Sequence, residues 1–83
     1  MNNFTLLDGA IRQGLNLMSQ SNVSEDQFRV WLEYSKNLLG LSDNPIFMTN
    51  YLNVVVAAYN SGLTPTQRLS MCLRYLIEIQ PVI

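Results

Sequence analysis

Three short stretches, "VSEDQF", "SDNPIF" and "GLTPTQ", each carry a helix-start signal, and their capping residues Ser24, Asn44 and Thr64 stand 20 residues apart. Ser24 precedes Gln27 by three residues, a capping box in which each side chain accepts a hydrogen bond from the other's backbone N–H. Val23 and Phe28 occupy the two positions of a hydrophobic staple around it. Asn44 is followed by Pro45 at the first helical position, where the missing N–H costs nothing. Thr64, Pro65 and Gln67 combine both devices. Gly40 and Gly62 fall where C-terminal caps belong.

Segments cut to this length hold helices of about 15 residues, each about 22 Å long. Links this short make neighbouring helices run roughly antiparallel. The expected fold is therefore all-α, a four-helix bundle-like single domain over residues 1–83, with helices about 4–20, 25–39, 45–60 and 65–80. The first helix lacks a comparable cap and starts somewhere between Asn2 and Thr5.

Placing residues at 100° per step gives each helix a face. Phe4, Leu7, Ile11, Leu15 and Met18 form one stripe on the first helix, with Gly14 on the same side where a neighbour can approach closely. Phe28, Trp31, Leu32, Leu38 and Leu39 form the core face of the second. Glu25–Arg29 and Arg29–Glu33 are spaced for four-residue ion pairs on its solvent side. Leu69, Cys72, Leu73 and Leu76 form the core face of the fourth.

The third helix is different, because no charged residue occurs between Asp43 and Arg68. Thr49, Asn50, Asn53 and Asn60 share about 100° of arc, and the rest of the circumference is apolar. A membrane span needs about 20 predominantly apolar residues, and this stretch is shorter and interrupted by polar groups. A helix apolar on most sides is a buried one. The expectation is a helix central to the bundle or shared between subunits.

Composition removes several function classes. The chain has no histidine and one cysteine, Cys72, so the usual catalytic and zinc-binding sets cannot be assembled. Its six acids are dispersed, and the adjacent Glu25 and Asp26 suit the first turn of a helix, where they complement the macrodipole. No phosphate loop, calcium loop or paired-cysteine motif occurs. The sequence gives no reason to expect an enzyme, a metal or a cofactor. Nothing near Met1 resembles a signal peptide, so a cytoplasmic location is expected.

"LTPTQRLSMCLRYL", Leu63 to Leu76, resembles the opening helix of the helix-turn-helix in sigma-factor region four and in LuxR-type regulators. Those families open that unit with a similar Leu-Ser/Thr-Pro cap and end it with Arg-Tyr-Leu. The resemblance implies a transcriptional regulator that contacts DNA through helix 65–80. Those families read DNA with a later helix, however, and only seven residues follow Leu76. Five basic residues also supply few phosphate contacts.

The remaining expectation is a soluble protein-interaction module. It would be an adaptor or inhibitor, of the sort phages and mobile elements encode, that binds a larger protein. Arg68, Met71 and Tyr75, three and four residues apart, are the candidate protein-binding patch, being residue types enriched at interfaces. Leu6 and Leu17 on the first helix, with Val30 and Tyr34 on the second, lie beside the main stripes and are candidates for self-association as a homodimer. Thr49, Asn50, Asn53 and Asn60 form a candidate polar groove for a small ligand.

Overall fold

Four helices, α1 (Asp8–Met18), α2 (Glu25–Leu39), α3 (Ile46–Asn60) and α4 (Pro65–Ile79), build the chain in the computed structural model, which describes residues 5–83. No strand occurs among the described residues. The Cα radius of gyration of 12.1 Å matches the value of about 12 Å expected for one compact domain of this length.

The starts of α2 and α4 are set by the caps. Ser24 Oγ accepts from the Gln27 N–H at 3.1 Å while Gln27 Oε1 accepts from the Ser24 N–H at 3.0 Å. Thr64 and Gln67 repeat this at 3.2 and 2.9 Å. Asn44 caps from one residue further out, its Oδ1 accepting from the Ile46 N–H, so α3 begins after Pro45. Gly62 takes the left-handed conformation, φ +67°, that lets the chain leave α3 and turn into α4. Gly40 remains right-handed and ends α2 as an ordinary extra turn.

Helix α1 is shorter than expected. No side chain caps it, so its first regular turn begins at Asp8, whose carboxylate suits the positive end of the dipole. Phe4, expected on its stripe, lies outside the described residues. The buried side of α1 is Ala10, Ile11 and Gly14, with Leu7 buried just before it, and Leu15 is exposed. Trp31 is the cause of this rotation. Its indole Nε1 donates to the Ala10 carbonyl at 2.8 Å, which draws α2 over the small residues of α1. A Cβ at Gly14 would stand 3.2 Å from Trp31 Cζ2 and 2.7 Å from Leu73 Cδ1. The missing side chain is what lets α1 meet both α2 and α4.

The expected centrality of α3 is corrected. Among the described residues α4 packs against all three other helices, whereas α3 packs mainly on α4, touches α2 and does not approach α1. Only Tyr51 and Ala58 of α3 are buried. Trp31 and Gly14 close α1 onto α2, and α4 fills the angle between them with Leu69, Cys72, Leu73, Leu76 and Ile79. Its remaining flank is all that α3 can cover.

One buried polar pair joins α2 to α3. Ser35, missed as a core position because it is polar, is fully buried and its hydroxyl donates to the Leu32 carbonyl at 2.8 Å. That uses its only proton, so the Tyr51 hydroxyl 2.7 Å away is the donor to Ser35 Oγ. Burial raises the Tyr51 pKa and keeps the phenol neutral. The ion pairs on the outside of α2 also differ from expectation. Arg29 pairs with Asp26 and Lys36 with Glu33, while Glu25 reaches across to α4.

Two outcomes follow from this packing. Gly14→Ala gains about 1 kcal/mol of helix propensity but overpacks the α1–α2–α4 contact at a cost of about 1–3 kcal/mol. The variant should therefore melt below the wild type in a calorimetric scan, and a higher Tm would mean that Leu73 simply swings aside. Ser35→Ala leaves the buried Tyr51 hydroxyl without a partner, a loss of about 1–3 kcal/mol. Tyr51→Phe removes one bond but leaves Ser35 satisfied by Leu32, a loss nearer 1 kcal/mol. Urea titrations of the two variants should rank them in that order.

Candidate functional site

The expected patch of Arg68, Met71 and Tyr75 is not an exposed surface. Arg68 is 5% exposed. Its guanidinium holds both carboxylate oxygens of Glu25, the Nη1 bond to Oε2 being 3.0 Å. Its Nε donates to the Leu63 carbonyl at 3.2 Å. Two rings lie against the group, the centroid of Tyr59 at 4.4 Å and that of Phe28 at 5.2 Å, and the rings themselves meet edge to face. The bond to Arg68 holds the Glu25 carboxyl below its ordinary value. Beside it, the Val23 N–H donates to Thr66 Oγ1 at 3.0 Å. This cluster binds the start of α2, the end of α3 and the start of α4. It withdraws Arg68 from solvent.

Tyr75 is half-buried. Its ring stacks on Tyr51 with centroids 5.8 Å apart and 12° between planes, and its hydroxyl donates to the Phe47 carbonyl at 3.0 Å. Burial raises its pKa. Met71 is also half-buried. A helical wheel places both opposite Leu73, but that flank is where α3 docks, which a single helix does not reveal. The exposed face of α4 is Gln67, Ser70, Arg74, Ile77 and Glu78.

Three of the four self-association candidates line up along the α1–α2 seam. Leu17 and Val30 face one another across an open groove of about 650 Å³ that has Trp31 at its base and Gln13, Asn16, Gln20 and Gln27 on its walls. The Tyr34 hydroxyl lies where a Cβ on Gly9 would stand 2.5 Å away. Leu6 packs half-buried against the core. Val30 is 69% exposed and Tyr34 38%, so only these two present substantial apolar surface.

The polar residues of α3 do not line a groove. Thr49, Asn50, Asn53 and Asn60 are all exposed on the outer side of the helix, and neither described groove includes them. Beside them runs apolar surface that single-helix reasoning placed in the core. Leu52 is 42% exposed, Val56 56% and Tyr59 47%, on one flank, with Ile46 at 50% on the other. The spacing 52–56–59 puts three of them in one ridge. The signal was present in the sequence as an uncharged run, but which side of α3 stayed uncovered depended on where α4 lay.

Among the described residues no cluster of three metal-ligating side chains occurs, and no helix is long and apolar enough to cross a membrane. Burial pushes the Cys72 thiol up to about 12, so at neutral pH it is the unreactive neutral form.

The Glu25–Arg68 pair gives a pH dependence whose sign is fixed. A carboxyl whose folded pKa lies below its unfolded value of about 4.5 stabilises the fold above that value, and the contribution disappears as pH falls through the folded one. Glu25→Gln should therefore lower Tm near neutral pH, with wild type and variant converging in acid. A difference that does not change with pH would mean the carboxylate charge is not what Arg68 uses.

Searches of family models, of curated proteins and of solved structures each find no match to this chain.

Proposed function

We propose that this chain is a small protein-interaction module, an adaptor or inhibitor that binds a larger protein through the outer face of α3. One observation carries this reading. Leu52, Val56, Tyr59 and Ile46 are each about half exposed on a helix with no charge anywhere from residue 44 to residue 67. Depletion of charge is the composition of the core of a docking surface, and an exposed apolar ridge such as Leu52–Val56–Tyr59 marks such sites. The amides of Asn53 and Asn60 beside that ridge, and of Asn50 on the far flank, supply hydrogen-bonding groups that cost little to desolvate compared with charges.

The substitutions that test this reading are Leu52→Asp and Val56→Asp, both on exposed positions and tolerable to the fold. Affinity capture from lysate of the source cell, with the wild type and with each variant, should lose its bound protein in both variants. Purified target should then bind them more weakly by about 2 kcal/mol or more if these are hot spots. Val30→Asp, on the other side of the molecule, should capture as the wild type does. Equal capture by all four proteins would remove α3 as the docking face.

A further inference from the structure

We infer that the occupant of the α3 face, when no larger protein is bound, is α3 of a second copy of this chain, packed antiparallel about a twofold axis near Val55 and Val56. The inference rests on the reading of α3 as the docking face and names its partner.

The two flanks of the outer face differ. Leu52, Val56 and Tyr59 line the flank nearer α2, where the Tyr59 ring meets Phe28 and the Met48 methyl lies beside Gly40. Thr49, Asn53 and Asn60 form the crest, and Ile46, Asn50 and Ala57 the far flank. When two copies of a helix face each other antiparallel, each flank meets the same flank of the other copy. When they are parallel, each flank meets the opposite one. Only the antiparallel pair therefore sets the apolar ridge against an apolar ridge and the amides against amides, which can both donate and accept. The 4–3 spacing of Leu52, Val56 and Tyr59 is the spacing of a helix–helix seam. An axis near Val55–Val56 puts Leu52 against Tyr59 of the second copy and Val56 beside its own copy.

Charge favours the same partner. An interface that is isologous brings each patch against itself, so a charged face would repel its copy. This one carries no charge, and Arg68, the nearest cation in the chain after it, is buried and paired with Glu25. A net charge of −1 adds little long-range repulsion between copies. Position also allows it, because α3 stands at the edge of the molecule with only α4 and α2 behind it. A helix of this length closing over such a face covers on the order of 600 Å² per copy, near the lower end of the range for specific interfaces. An interface of that size suits a weak, reversible dimer that a larger protein can displace.

Two measurements test this. In sedimentation equilibrium the weight-average mass should rise from 9.5 kDa toward twice that value as concentration increases, and Val56→Glu, with helicity unchanged by circular dichroism, should hold it at the monomer value. Under mild oxidation Val56→Cys should form a covalent dimer, whereas Val30→Cys, at a position more open to solvent, should cross-link at least tenfold more slowly. Cys72 is buried and gives no background. A wild type that stays monomeric at every concentration overturns the inference, and so does Val30→Cys cross-linking as fast as Val56→Cys. If the wild type is monomeric while Leu52→Asp still abolishes capture of a larger protein, the second copy is wrong and the docking face stands. If Val56→Cys cross-links but capture ignores α3, the second copy stands and the larger partner binds elsewhere.

Discussion

A guanidinium taken out of water must have its N–H groups met, and meeting those of Arg68 fixes the relative positions of three helices. Its acceptors are Glu25 in the first turn of α2 and the carbonyl of Leu63 just before α4. The rings of Phe28 of α2 and Tyr59 of α3 lie against it. A flat, delocalised cation is suited to this, since it can stack on rings and grip a carboxylate in its plane at once. Glu25 stays largely in solvent, so one partner of the pair keeps most of its hydration. The pair works more as a geometric lock than as a large source of stability.

The lock sits at one end of the bundle, and the rest is held by fewer, more local devices. Trp31 reaches the Ala10 carbonyl over the gap left by Gly14, closing α1 on α2. Tyr51 docks α3 by its hydrogen bond to Ser35 and by stacking on Tyr75, whose own hydroxyl returns to the Phe47 carbonyl. No buried side-chain polar atom among the described residues lacks a partner. In a domain this small, where burial alone leaves a narrow margin, each such contact removes a way for a helix to rotate.

The same arrangement leaves α3 with more apolar surface than it can bury. Because α4 holds the centre, α3 has one side on α4, a brief contact with α2, and an outer side that faces water. A chain with only 11 charged residues places none of them on that helix. The exposed ridge is therefore a consequence of which helix won the middle of the bundle.

The sequence by itself determined the number of helices and where most of them begin, because capping is local. Ser24 with Gln27 and Thr64 with Gln67 satisfy backbone donors within three residues, and no distant contact is needed to predict them. It also determined the core face of α4, where four apolar residues repeat at helical spacing. Only the tertiary structure decided that α4 rather than α3 is central and that α1 turns Ala10 and Gly14 inward in place of Leu15. It also decided that Arg68 is enclosed and Tyr75 half-covered. Each of these depends on residues more than 20 positions apart meeting: Trp31 with Ala10, Arg68 with Glu25, Tyr75 with Tyr51. Periodicity gives the angle of a side chain around its own helix, but the side that becomes the inside is set by the neighbours that arrive there.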